Sequence, residues 1–275
     1  MESSSSFASQ LRWWRERRGM AQLELAGVAD VSQRHLSFLE LGRTAPSREM
    51  VLRLAAALHV PLRQQNALML AAGFAPAWRE TPLEAPALAI LDKALSFMLA
   101  QQEPYPAFVV DRRWTLLRTN GGGRNLVQFL TGAPLAESGP TPAVNLADAL
   151  LAPDALRPLI RNWTDVAHYF IRSVHADALA DGTRETAALL ARLLSYPDVP
   201  RIADVPTLDH DMSPVLVMQF VKGETPIELF TTLATLGTPQ DVTTQEIRIE
   251  CFFPANEDTA TKFKTWAVRR TDARA

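Results

Sequence analysis

Gln33, Arg34 and Ser37 carry the side chains in this 275-residue chain best suited to reading the polar edges of another molecule. A primary amide can pair with the N6–N7 edge of adenine, a guanidinium with O6 and N7 of guanine, and a hydroxyl with a base or a phosphate. Their spacing places them on one face if the segment is helical, and the N-terminal end of such a helix is the part that enters a major groove. Ser32 stands just before them, where a helix N-cap belongs, and is counted with the same face. Gln22 opens the preceding helical stretch, where its side chain and the first-turn amides can hold a phosphate. Arg43, just past the end of the second stretch, adds another phosphate partner.

The elements that must position these residues are legible as two short helices joined by a turn, in QLELAGVADVSQRHLSFLELGR. Leu23, Ala26 and Val28 supply the apolar face of the first helix, Asp30 breaks the run, and Val31 plugs the corner. Leu36 and Leu39 then give the second helix its inward face. A further helix is expected upstream over residues 6–18, with Phe7, Leu11 and Trp14 inward and Gly19 as its stop. Pro46-Ser47 opens a fourth with Met50, Val51, Leu54 and Leu58 inward, and Pro61 opens a fifth that stops at Gly73. Five short helices of this kind make a compact all-α domain over residues 1–75, and proline-spaced PAWRETPLEAP, residues 76–86, reads as a linker to a second domain over 87–275.

The first region resembles the helix-turn-helix of the XRE or Cro/repressor family, on Arg15, Gln22, Leu25-Ala26, Ser32-Gln33, Glu40 and Gly42-Arg43. More narrowly, RHLSFLELGRTAPSREMVLRLAAALHVPLRQQNALMLAAGFAP resembles the regulators that carry a MmyB-like ligand-binding domain behind that motif. The similarity runs over residues 10–76 and resumes at PYPAFVVDRRWTLLRTN and NWTDVAHYFIR. It implies a lambda-repressor-like fold, a partly buried Arg15–Glu40 salt bridge tying the first helix to the end of the third, and a PAS-like second domain. It also implies a fatty-acid-like or other apolar ligand.

The residues of the second region point the same way. An amphipathic helix is expected over 87–102, with Leu88, Leu91, Leu95, Phe97 and Met98 as its apolar set, followed by strands over 107–110 and 114–119 joined at Asp111-Arg112-Arg113. Gly121-Gly122-Gly123 matches neither GxGxxG nor a P-loop and reads as a flexible strand-to-helix corner. Residues 134–142 read as a loop and 146–194 as mostly helical. VLVMQFV, PIELFTTLATL and TQEIRIECFFP then read as three strands, and 259–268 as a short closing helix. Two strands, a helical insert and three strands is the order of an α+β sandwich: a five-stranded antiparallel sheet with helices on one face and a ligand cavity between the layers. Arg118 and Asn120 at a strand end, and Trp163 and Arg172 on the covering helices, are the candidate ligand residues. Arg172 or Arg118 is the natural partner of an acid. The competing reading for each is a helix cap or a surface ion pair.

Charge supports the division. Residues 1–70 hold nine arginines against six acids, a net of +3, leaving nineteen basic and twenty-four acidic residues, a net of −5, behind them. The positive field thus belongs to the region expected to meet double-stranded DNA. A hydrophobic content of 47% is too rich for disorder, and no apolar run reaches the roughly 18 residues that span a bilayer. The start lacks the regions of a secretory signal, and the single Cys251, expected as a buried, inert thiol, suits a reducing cytoplasm. His168 and His175 could share a helix face, yet a zinc site would need further ligands. G-x-S-x-G, HExxH and CxxC are all missing, so neither catalysis, metal nor cofactor is expected. The expectation is a homodimeric repressor on a palindromic operator. The alternative is an enzymatic or protein-interaction module tethered to DNA.

Overall fold

The structure, a computed structural model, describes residues 6–135, 143–201 and 215–272, so most of the loop expected over 134–142 lies outside the described residues. The chain divides into two compact units: one runs to Thr81 and includes Thr238–Gln245, and the other comprises Pro82–Gly237 and the chain from Glu246 onward.

The first unit holds helices α1 (Phe7–Arg17), α2 (Gln22–Val28), α3 (Gln33–Glu40), α4 (Arg48–Ala57) and α5 (Leu62–Ala71). Serine hydroxyls cap three of them: Ser6 accepts from the Ser9 amide, Ser32 from His35 and Ser47 from Met50. The α2–α3 turn passes through Asp30 in left-handed backbone, φ 51°, which a short polar residue tolerates better than a branched one. Leu11, Trp14, Leu25, Leu36, Leu39, Val51, Leu54 and Leu58 form the core. The inner face of α2 differs from the sequence reading: Leu25 and Ala26 are buried with Ala29, while Leu23 and Val28 are 67% and 62% exposed. In so short a helix, positions i, i+1 and i+4 share the inner face, and Leu23 and Val28 fall outside that arc.

In the second unit, β1 (Ala107–Val110), β2 (Leu116–Thr119), β3 (Val217–Lys222), β4 (Thr225–Thr235) and β5 (Arg248–Pro254) form a sheet of order β2-β1-β5-β4-β3. All neighbours are antiparallel. Alternation sends Phe108, Ile227, Leu229 and Phe252 to one face and Ala107, Val109, Ile249 and Cys251 to the other. The first face packs under α7 (Gly121–Thr131), α8 (Leu146–Leu151), α9 (Trp163–Asp181), α10 (Arg184–Leu194) and α12 (Glu257–Asp272). The second face is covered by α6 (Ala89–Gln101) through Leu91, Leu95 and Leu99, so helices flank both faces and not one. Burial at i, i+4 and i+8 turns Phe97 outward, 64% exposed, against the expected apolar set.

Three further elements depart from the sequence reading. β2 begins later than residue 114, because Trp114 takes φ 64° and buries its ring edge-on against Phe170, 4.9 Å between centroids. The TQE of the last apolar run is helical, within α11 (Val242–Glu246), where Asp241 accepts from the Thr243 amide at 2.9 Å. The triple glycine is no flexible corner but the first turn of α7. Asn120 caps it by accepting from the Gly123 amide, and the Glu103 carboxylate accepts from Gly121 and Gly122 at 2.6 and 3.1 Å. A Cβ on Gly122 would lie 2.3 Å from the Pro104 carbonyl oxygen, so close backbone approach demands the bare residue.

Candidate functional site

The first site is the outer face of α3. Leu36 and Leu39 anchor the helix inward, which leaves Ser32, Gln33 and Arg34 exposed at its N-terminal end and Ser37 half-buried one turn on. Phe38, which the sequence reading passed over, sits between two cations: the guanidinium carbons of Arg34 and Arg43 lie 5.4 and 5.9 Å from its ring centroid. Cation–π contact of this kind holds two long, otherwise free side chains beside one another on the helix face. The i, i+4 spacing of Arg34 and Phe38 signals the first contact; the second depends on the turn after α3.

Behind that face lies a buried ionic lock. Arg15 Nε donates to Glu40 Oε1 at 2.6 Å, its Nη2 to Oε2 at 3.0 Å, and its Nη1 to the Met20 carbonyl at 2.7 Å. The Glu40 side chain is only 3% exposed, and its hydrogen bond is the main reason the Arg15 pKa is raised. Gln22 completes the lock, its amide Nε2 donating to Glu40 Oε2 at 2.8 Å. The structure therefore joins Gln22 to Arg15 and Glu40 and sets its amide behind the face that carries Gln33 and Arg34.

The second site is a cavity of about 50 Å³ between the sheet and the helices, lined by Phe108, Leu130, Leu150, Met218, Phe252 and Glu250 among others. That volume exceeds the 10–15 Å³ a water needs, and the lining is apolar apart from Glu250. Glu250 is 1% exposed and accepts from Thr231 Oγ1 at 3.1 Å; burial pushes its carboxyl up to about 7. Cys251 is half-buried on the opposite sheet face, and burial, then the Glu250 charge, raises its thiol.

The four candidate ligand residues are not brought together, and none lines the cavity. Arg118 pairs with Asp92 of α6, Nη1 to Oδ1 2.5 Å, on the far face of the sheet. Asn120 is spent on structure: its Oδ1 accepts from the Ala107 and Gly123 amides and its Nδ2 donates to the Leu99 and Tyr105 carbonyls. Trp163 donates to the Leu150 carbonyl and lies under the Arg157 guanidinium, 3.7 Å from the ring centroid. Arg172 is exposed on α9. Sequence reasoning missed Glu250 because a charged residue inside an apolar strand run is indistinguishable from one on a solvated face until the register is known. Among the described residues no three His, Cys, Asp or Glu cluster as metal ligands would, and no helix is long and apolar enough to cross a membrane.

Two family models match the chain. A helix-turn-helix model covers residues 11–65, from within α1 to the start of α5. The model described as the MmyB-like transcription regulator ligand binding domain covers residues 91–265, from α6 into α12. No individual curated protein matches. The lock behind α3 and the cavity behind the sheet thus fall one in each matched region, and the chain belongs to the MmyB-like family of DNA-binding transcription regulators, with an XRE-type helix-turn-helix ahead of the ligand-binding domain.

Proposed function

We propose that this regulator is a cytoplasmic repressor, without catalytic activity, that binds a palindromic operator as a homodimer and answers to a small apolar ligand in the sheet–helix cavity. The observation that carries the DNA half is the outward set on α3, with Arg34 and Arg43 held against Phe38 beside exposed Gln33. Gln33 and Arg34 read base edges; Ser32, Ser37, Arg43 and the α2 N-terminus at Gln22 position the duplex through phosphates. Two-fold symmetry sets half-sites one helical turn apart, roughly 10 bp.

A ligand shifts the equilibrium only if it binds the two states unequally, so the cavity needs a route to the helices. Support comes from the connection between β4 and β5. Its Thr238–Gln245 segment belongs to the helical unit, where Val242 is buried and Gln245 Oε1 accepts from the Leu62 amide at the start of α5, 2.7 Å. Of the strands on either side of that segment, β5 supplies Glu250 to the cavity lining and β4 supplies Thr231, which donates to Glu250. The proposed route runs along the chain itself, from β4 and β5 into the segment whose Gln245 accepts from the Leu62 amide.

The test is a mobility-shift series on an operator selected from random duplexes. Wild type binds it with strong salt dependence, and Gln33→Ala loses preference at one position per half-site, a change worth roughly 1–3 kcal/mol. Binding indifferent to sequence and to this substitution overturns direct reading by α3.

A further inference from the structure

Among the residues lining the cavity, Glu250 alone is ionisable. Its Oε1 accepts from Thr231 Oγ1 of β4, and among the described residues no other group donates to it. On β5, Arg248 lies on the same face, yet its guanidinium is engaged by Asp177 of α9 through bonds of 2.6 and 2.5 Å. From α9, Tyr169 approaches closely enough that the Glu250 charge contributes, after burial, to raising its phenol. β1, α7 and α8 present only apolar side chains, among them Phe108, Leu130 and Leu150. A carboxyl in such surroundings lacks the counter-charge that buried acids ordinarily have.

We propose that the cavity takes a small apolar amine, its hydrocarbon body among Phe108, Leu130 and Met218 and its amino group on Glu250. This rests on the reading of the cavity as the ligand site. Burial holds the Glu250 proton up to about pH 7, with the Thr231 hydrogen bond and Arg248 pulling weakly the other way. A neutral amine entering the site takes that proton onto its nitrogen, which leaves an ammonium–carboxylate pair with no net charge in the cavity. A ligand carboxylate would instead place a second negative charge beside Glu250 once that group ionises. Arg118 and Arg172, the cations that would have met an acid, are held by Asp92 and exposed on α9 respectively.

The experiment uses the full chain with propylamine, propan-1-ol and propanoate, probes short enough for so small a cavity, at about pH 8, reading the Met218 methyl resonance and the Tm. Propylamine is expected to bind roughly tenfold more tightly than propanoate, and Glu250→Gln to weaken propylamine by a similar factor while leaving propan-1-ol nearly unchanged. Retained propan-1-ol binding also shows that the variant is folded. Propanoate equal to propylamine, or an amine affinity untouched by Glu250→Gln, overturns the amine assignment. If propan-1-ol still binds in that case and is lost in a folded Ala149→Phe variant, the cavity stands as the ligand site. No Met218 response to any probe removes the ligand site and the amine together.

Discussion

At the scale of single residues, two carboxyls in apolar surroundings behave in opposite ways. Glu40 is matched by Arg15 and Gln22, so removing it strands a guanidinium that is itself only 11% exposed. Glu40→Ala is expected to lower stability by about 3–5 kcal/mol and to weaken DNA binding with it, measured by thermal melting and mobility shift; an unchanged Tm would overturn the lock. Glu250 is unmatched, and its pKa of about 7 stands above the ordinary 4.5. Below pH 4.5 both folded and unfolded chains hold the proton. As pH rises from 4.5 to 7 the unfolded chain releases a proton that the folded state keeps, and above 7 both are ionised. Folded stability therefore falls across that window, by on the order of 3 kcal/mol. Denaturant melts of wild type and Glu250→Gln should diverge between those pH values and run parallel above them. Arg15 and Glu40 announced themselves through the family pattern; the third member, Gln22, did not, because an amide at a helix start looks equally apt for a phosphate. Phe38 was hidden for a related reason, since an aromatic on a helix reads as core until its arginine neighbours are placed.

Whole elements were legible where apolar spacing met a stop signal. Serine caps and left-handed breaks placed α1 to α5 close to where the sequence put them, and β-branched runs placed the five strands. The failures are places where one period fits two faces. Phe97 and Leu95 are both apolar and two apart, and only packing against β1 and β5 decides that Leu95 goes in. The glycines at the head of α7 misled in another way: they are required by closeness and not by suppleness. Gly122→Ala must push its Cβ into backbone atoms of Pro104 and Tyr105 at 2.3 and 2.5 Å, which cannot swing aside as a side chain can. A loss of more than about 3 kcal/mol is expected in chemical denaturation, set against the few tenths to about 1 kcal/mol gain of an unhindered helical Gly→Ala. A stability equal to wild type would show that the β1–α7 corner has room to relax.

For the molecule as a whole, the sequence disclosed a positive small region and an acidic large one, and each matched a family of its own. It could not disclose that the helical unit is discontinuous in sequence. Asp241, which accepts from the Thr81 hydroxyl at 2.7 Å, and the residues that follow are far from α5 in sequence, so no local pattern links them. A fragment of residues 1–81 keeps α1 to α5 but lacks Val242 and the Gln245 partner of the Leu62 amide. Its Tm is expected to fall below that of the same unit in the full chain, and adding a peptide of residues 238–245 should recover part of the loss. An equal Tm would mean the segment is a passenger.

The late arrival of that segment bears on how the regulator is made. Translation releases α1 to α5 long before residue 245 leaves the ribosome, so the helical unit waits, short of the buried Val242 side chain and the acceptor for the Leu62 amide, until β4 and its connection have been synthesised. A chain that ends within the sheet carries α1 to α5 without Val242 or the Gln245 acceptor, so the lower stability expected of the 1–81 fragment is expected of it as well.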